Sequence, residues 1–98
     1  MTPWGAGPMA IGLLFEGPGV TQAQYDQTRT EVAPDNKRAP GMLYHVAGPT
    51  GNGGWRVVEV WESQEALDRF FQEKLGKALQ NANISIQPQT FQVHNIMQ

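Results

Sequence analysis

Cysteine is absent from the sequence. Its absence excludes a disulfide framework, a thiolate metal site and a nucleophilic thiol, and it fits a reducing compartment, so we expect a cytoplasmic protein. A chain of 98 residues has room for one domain with one core, and a core of that size gives only a thin margin of stability. Self-association is the remaining common way to bury more apolar surface, so the composition favours an oligomer.

Positive charge is also scarce, with seven Lys and Arg and a net charge of -2. Binding to nucleic acid needs a clustered basic face, and the adjacent pair Lys37 and Arg38 is better interpreted as a solvated loop. No apolar run approaches the length of a membrane span. We therefore predict neither a nucleic-acid partner nor a membrane location. Residues 1–8 contain two prolines and two glycines without periodicity, which predicts a flexible N-terminal arm before a single domain at residues 9–98.

Local signals divide that domain into strands and helices. Thr21 and Gln24 have the spacing of a capping box, which predicts a helix that ends near Ala33 because Pro34 disfavours helical geometry before it. Ser63 is a suitable N-cap for a second amphipathic helix, which Gly76 either breaks or weakens. The segments with strand character are residues 9–16, 42–47, 55–61 and 90–97.

The order β-α-β-β-α-β predicts an α+β, ferredoxin-like domain. In this split arrangement a four-stranded antiparallel sheet carries both helices on one face. The glycine-rich segment at residues 48–54 joins two strands, so we interpret it as a hairpin turn and not as a phosphate-binding loop.

Alternation along the strands then assigns side chains to the two faces of the sheet. In the third strand, Val58 and Val60 are suited to packing under the helices, which leaves Trp55, Val57, Glu59 and Trp61 for the helix-free face. The same reasoning places Leu43 and His45 of the second strand, and His94, Gln92 and Ile96 of the last strand, on the helix-free face. The first strand is apolar on both faces and is not assigned.

A helix-free face of this composition predicts a homodimer. Exposed apolar patches of that size are rare on monomers, and an identical sheet is the simplest partner. The same face would carry Glu59 and two histidines, which is unusual for a plain interface because buried charges are costly unless paired. A cavity that contains a His and Glu pair accounts for both features.

The segment from Gly54 to Ser63, which runs Gly-Trp-Arg-Val-Val-Glu-Val-Trp-Glu-Ser, leads into Ala66-Leu67-Asp68-Arg69-Phe70. Together with the order of elements, this segment resembles the dimeric α/β-barrel superfamily, and in particular small proteins near the antibiotic-biosynthesis monooxygenases. The resemblance covers Met9 to Met97. It implies two four-stranded sheets packed into a barrel across a dimer, with a pocket in each protomer.

Members of that superfamily include cofactor-independent oxygenases of polycyclic phenols, haem-degrading enzymes and muconolactone-type isomerases, and others have no known activity. The asparagine and tryptophan arrangement of the haem-degrading members has no clear counterpart here, which counts against haem. We therefore expect a monooxygenase-like enzyme that acts without a cofactor on an apolar or aromatic substrate. A non-catalytic ligand-binding or stress-associated dimer, and an isomerase or lyase that uses the same pocket, are the alternatives.

Within the expected pocket we assign His45 and Glu59 as catalytic proton carriers, because the hairpin can bring them side by side. A structural ion pair with Arg56, or with Arg69 of a second copy, is the alternative for Glu59. The residues predicted to bind substrate are Trp55, Val57, Trp61, Leu43 and His94, although packing is the more common role for the two tryptophans. No spacing among the histidines and Glu59 is a metal motif, so we predict no metal. A cavity of roughly 300 Å³ or more beside His45 and Glu59 would favour an enzyme.

Overall fold

A computed structural model describes residues 10–85 and 87–97, so the predicted arm at residues 1–8 lies outside the described residues. The elements in chain order are β1 (Ile11–Pro18), α1 (Gln22–Val32), β2 (Met42–Pro49), β3 (Gly54–Trp61), α2 (Gln64–Phe70), a π-helical turn (Phe71–Leu75), α3 (Gly76–Asn81) and β4 (Gln89–Gln92). All neighbouring strands are antiparallel, in the order β2-β3-β1-β4. The predicted ferredoxin-like α+β architecture is confirmed.

The start of α1 follows the predicted capping box. The Gln24 backbone N–H donates to the Thr21 hydroxyl at 3.1 Å, and the Thr21 backbone N–H donates to Gln24 Oε1 at 2.9 Å. Two backbone donors at the helix start are thereby satisfied. The helix ends at Val32 with Ala33 as its C-cap, as expected from Pro34.

The second helical segment begins at Ser63, whose hydroxyl accepts from the Ala66 N–H, and it runs through Gly76 without a break. Gly76 has helical angles of φ -57° and ψ -45°, and its N–H donates to the Phe71 carbonyl five residues earlier. That bond closes the π-helical turn, in which the backbone is wider than in an α-helix. None of the helices in the described part of the chain is long and apolar enough to cross a bilayer.

The last strand is shorter than predicted. β4 pairs with β1 only from Gln89 to Gln92, and residues 93–97 lie beyond the ladder apart from one bond from the Val93 N–H to the Ala10 carbonyl. The predicted strand at residues 90–97 is therefore wrong over most of its length. The apolar residues that suggested a continuing strand, such as Met97, are exposed.

The assignment of the sheet faces is reversed relative to the prediction. The helices cover the face that carries Trp55, Val57, Glu59 and Trp61: Trp61 packs with Leu67 and Phe70 of α2, and Trp55 lies against Tyr25 of α1. β1 contributes Ile11, Leu13 and Phe15 to this face, because they pair with Trp61, Glu59 and Val57.

Within the described sheet, the helix-free face is largely apolar and carries no histidine. Val58 and Val60 lie on it, paired with Val46 and Tyr44 of β2. Phe91 also lies there: a Cβ added at Gly12 would be 2.3 Å from its ring, and Gly12 pairs with both Phe91 and Val60. The absence of a side chain at Gly12 thus makes room for the Phe91 ring.

A β-bulge in β2 explains why simple alternation failed there. Met42 pairs with Trp61 and Tyr44 with Val60, so Leu43 is an extra residue in the ladder. A bulge of this kind shifts the alternation by one residue. Met42 and His45 consequently share the helix-covered face, although they are three residues apart.

Candidate functional site

A cavity of about 410 Å³ lies between the helices and the covered face of the sheet. Its apolar wall comes from both layers and includes Leu13, Phe15, Val57, Phe70, Leu75 and Leu79. Tyr25, His45 and Glu59 also line it. The volume lies within the range of small-molecule sites, and an apolar cavity with few converging polar groups is their usual form.

Four side chains form a hydrogen-bonded chain at the polar part of this cavity. The Tyr25 hydroxyl lies 2.7 Å from His45 Nε2, and His45 Nδ1 lies 2.6 Å from Glu59 Oε2. The Trp61 indole N–H donates to Glu59 Oε1 at 2.9 Å. Both carboxylate oxygens of Glu59 are therefore satisfied, which compensates for the burial of that side chain to 6% exposure.

The backbone explains why these groups meet. His45 and Glu59 are directly paired across the β2–β3 hairpin, and Trp61 follows Glu59 on the same face of β3. Tyr25 comes from the covering helix α1. The predicted proximity of His45 and Glu59 is confirmed; the further partner of His45 comes from the helix layer, and the further partner of Glu59 comes from β3 itself.

The hydrogen bonds indicate which tautomer a neutral imidazole has at this position. An ionised carboxylate only accepts, so in the neutral ring the proton is on Nδ1, facing Glu59, and the lone pair is on Nε2. Nε2 then accepts from the Tyr25 O–H. This is the order of groups by which an acid orients a histidine base in proton-transfer sites. The chain can accept a proton at Nε2 and stabilise the resulting imidazolium through Glu59.

Burial raises the pKa of Tyr25 above its ordinary value of 10.0; the negative charges of Glu59 and Asp26 act in the same direction, while the Arg29 guanidinium opposes them. Tyr25 therefore remains protonated at neutral pH and acts as the donor to His45. Since the folded state binds this proton more tightly, its contribution to stability is complete below pH 10.0 and is lost as the pH rises through the raised pKa.

We predict that Tyr25 titrates with its midpoint above pH 10.0. The measurement is the absorbance at 295 nm as a function of pH, compared between the wild type and Tyr25→Phe, so that the difference isolates one of the two tyrosines of the chain. A difference signal that titrates below pH 10.0 would contradict a buried, donating hydroxyl.

The predicted substrate-binding residues have different positions. Leu43 and Val57 line the cavity. Trp55 and Trp61 pack beside it, where Trp61 is fully buried and holds Glu59. His94 is exposed and lies beyond β4, so the structure does not bring it to the cavity. Tyr25 was not among the predicted site residues, although it lines the cavity and contacts His45.

Three cationic side chains form another part of the cavity lining: Arg29 of α1, and Lys37 and Arg38 of the α1–β2 connection. The Arg29 guanidinium donates to the Ala33 carbonyl at 3.0 Å and the Arg38 guanidinium to the Leu43 carbonyl at 2.8 Å. These bonds fix both arginines against the backbone next to the cavity. Glu59 is the only acidic residue among the described residues that line it.

The alternatives for Glu59 are not observed within the chain. Arg56 pairs with Glu16 and Arg69 with Glu65. Over residues 10–85 and 87–97, no three His, Cys, Asp or Glu side chains converge in a way that could hold a metal ion. Whether a cofactor takes part stays a prediction.

Comparison with known proteins relates this fold to others. No family model and no curated protein matches the sequence. Among solved structures, a proposed antibiotic biosynthesis monooxygenase from Caulobacter crescentus superimposes with a TM-score of 0.68 at 16% identity, over 90% of this chain and 92% of that one. A second such protein, from Chloroflexus aurantiacus, gives 0.63 at 18% identity, over 91% and 97%.

A third neighbour is a variant of SnoaB, a cofactor-independent oxygenase from Streptomyces nogalater, with a TM-score of 0.62 at 10% identity over 92% of this chain and 96% of that one. At such identities the likeness shows the fold. The chain has the ferredoxin-like fold of antibiotic biosynthesis monooxygenase-like proteins.

Proposed function

We propose that this chain is a small-molecule oxygenase of the monooxygenase type, which acts without a cofactor on an apolar or aromatic substrate held in the cavity. The observation that carries the proposal is the hydrogen-bonded chain Tyr25–His45–Glu59, which lies at the polar part of an apolar cavity of about 410 Å³. Its volume of about 410 Å³ also exceeds the roughly 300 Å³ that we named as favouring an enzyme. The oxygenase named among the structural neighbours supports the same type of chemistry.

Proton removal is the first step of the proposed reaction. His45 Nε2 takes the proton of an enolisable or phenolic substrate, either directly or through the Tyr25 hydroxyl, which already donates to that nitrogen. Glu59, at 2.6 Å from Nδ1, stabilises the imidazolium that forms. General-base catalysis of this kind contributes about 10²–10⁴-fold to a rate.

Dioxygen then reacts with the substrate anion itself. The activated CH₂ carbon forms a bond to one oxygen atom and gives a peroxide, which takes a proton from the imidazolium. Loss of the second C–H proton to His45 breaks the O–O bond, leaving a carbonyl and releasing water. The sum is CH₂ + O₂ → C=O + H₂O, in which the substrate supplies all four electrons.

The test is oxygen uptake with 1,8-dihydroxyanthrone, an aromatic compound that carries such a CH₂ group. The wild type should accelerate oxidation over the uncatalysed background, and His45→Ala should lower the enzymatic rate by about 10²–10⁴-fold. Glu59→Gln should lower kcat while retaining binding, since it preserves shape and removes the charge. Gln72→Ala is the matched control, because Gln72 is an exposed residue of the π-helical turn and does not line the cavity.

Other outcomes would support the alternatives. Binding without oxygen uptake would favour a non-catalytic ligand carrier. Conversion of the substrate without oxygen uptake, lost in His45→Ala, would favour an isomerase or lyase that uses the same base. Equal rates for the wild type and His45→Ala would contradict the roles proposed here.

We further propose a homodimer through the helix-free face. Its residues Leu14, Val46, Val58, Val60 and Phe91 form a continuous apolar surface, with Val46 and Phe91 exposed by 44% and 60%. The charged side chains at its edge, Glu16 and Arg56, already neutralise each other. A second copy presents the same uncharged surface, which makes two-fold pairing of the sheets favourable. Because the cavity is on the opposite face of the sheet, each protomer of such a dimer has its own site, to which the second copy contributes no residue.

A further inference from the structure

The positive charge of this chain is concentrated at the cavity. Three of its seven Lys and Arg line the cavity, although the net charge of the chain is -2. Glu59 is the one acidic lining residue in the described part of the chain, and its two oxygens are taken by His45 and Trp61. Among the described residues, the cavity lining therefore carries more positive than negative charge.

Neither Arg29 nor Arg38 has an ion-pair partner among the described residues. Arg29 donates to the Ala33 carbonyl and the Thr30 hydroxyl, and Arg38 to the Leu43 carbonyl. A guanidinium has five N–H donors in a planar fork, so both arginines keep donors for another acceptor. Lys37 approaches Asp35 only at 4.0 Å, with both side chains largely exposed.

The cations also have a defined relation to the proton-accepting group. Tyr25 and Arg29 are four residues apart on α1, so their side chains are neighbours on one face of that helix. The influence of the Arg29 charge on the pKa of Tyr25 reflects the same closeness. A ligand anion bound at Arg29 would thus be held about one helical turn from the hydroxyl that donates to His45.

We propose that Arg29 and Arg38, assisted by Lys37, bind the carboxylate of an aromatic acid whose apolar body fills the cavity. This assignment of the substrate class rests on the proposed function of the same cavity. A planar carboxylate matches the guanidinium fork, and such charge-assisted pairs are the stronger hydrogen bonds. With the carboxylate fixed there, the ring system lies along the apolar wall, and the end near Tyr25 and His45 is the one that loses a proton.

A matched pair of probes tests this proposal. 2-Naphthoate and the neutral 2-naphthamide have the same ring system and nearly the same shape, and calorimetric titration at low ionic strength gives both affinities. Naphthoate is expected to bind about 10- to 100-fold more tightly than the amide. Arg29→Gln and Arg38→Gln should each reduce that ratio while leaving the affinity for naphthamide unchanged.

Arg69→Gln is the matched control, because it removes the same charge from an exposed residue of α2 outside the cavity. Arg29→Gln also removes the bond to the Ala33 carbonyl and thereby weakens the end of α1. Arg38→Gln does not affect that bond, so it tests the carboxylate site separately. Equal affinities for the two probes, binding of neither probe, or an equal effect of Arg69→Gln would each overturn the proposal.

The experiments distinguish failure of the oxygenase proposal from failure of the carboxylate proposal. Preference for naphthoate that depends on Arg29 and Arg38 supports the carboxylate site even where no oxygen is consumed. Oxygen uptake that depends on His45, combined with equal binding of naphthoate and naphthamide, supports the oxygenase and overturns the carboxylate site.

Discussion

Replacement of Glu59 by alanine is expected to lower the free energy of unfolding by about 2–6 kcal/mol, because two donors lose their acceptor and each such loss costs about 1–3 kcal/mol. Glu59 is buried, and its removal leaves the Trp61 indole N–H inside the core without an acceptor and His45 without its carboxylate. A small domain has about 5–15 kcal/mol of stability in total, so this loss is a large fraction. Urea denaturation followed by circular dichroism measures it.

Two matched variants separate the causes. Glu59→Gln keeps the shape and an acceptor for Trp61 but loses the charge, so a smaller loss, about 1–2 kcal/mol, is expected. Glu16→Ala removes a carboxylate from an exposed ion pair with Arg56 and should cost at most about 1 kcal/mol. Equal destabilisation by Glu59→Ala and Glu16→Ala would show that the buried network has no special role in stability.

Substitution of Val58 by lysine is expected to convert the proposed dimer to a monomer. Val58 lies in the middle of the helix-free face, next to Leu14 of β1 and Val46 of β2. A charge buried between two sheets would be unpaired, and its desolvation is costly. The wild type should show twice the chain mass in sedimentation equilibrium or light scattering, and Val58→Lys the mass of one chain.

Gln72→Lys is the control, since it adds the same charge to an exposed position of the π-helical turn. It should remain a dimer. Because the cavity is on the other face of the sheet, Val58→Lys should also keep the naphthoate affinity of the wild type. A wild-type chain that sediments as a monomer, or a Val58→Lys variant that stays dimeric, would contradict pairing through this face.

Local signals in the sequence were sufficient for most of the elements. The capping box at Thr21 and Gln24 and the stop before Pro34 depend on neighbouring residues only, and both are confirmed. The order of strands and helices follows from such signals, and the handedness of crossovers then leaves few topologies. The last strand was overestimated because an apolar pattern alone does not show where pairing with β1 ends.

The assignment of faces needed information that is not local. The prediction gave Val58 and Val60 to the helices because they are apolar, and it placed Glu59 on the opposite face, in a cavity at a dimer interface. In the structure two donors, Trp61 and His45, satisfy Glu59. The bulge at Leu43 interrupts the alternation before His45, while His45 and Glu59 share one face of the sheet, as predicted.

The candidate site was therefore predicted in part. The pairing of His45 with Glu59 follows from the hairpin, and the cavity beside them was expected, although on the other side of the sheet. Tyr25 could have been found only by asking which polar residues of α1 face the strand that carries His45. Arg29 lies four residues after Tyr25 and therefore on the same face of α1, so the same question would have found it.

The π-helical turn at Phe71–Leu75 makes the shape of the cavity depend on chain length as well as on residue type. Each α-helical residue advances the chain by about 100° around the axis, so deletion of one residue within this turn would rotate α3 by about that angle relative to α2. Leu79 lines the cavity and Ala78 is fully buried. After the rotation, each of these side chains would point in the direction that an adjacent residue of α3 has now. A lineage that gained or lost this single residue could therefore acquire a different substrate range while every cavity-lining side chain stayed the same.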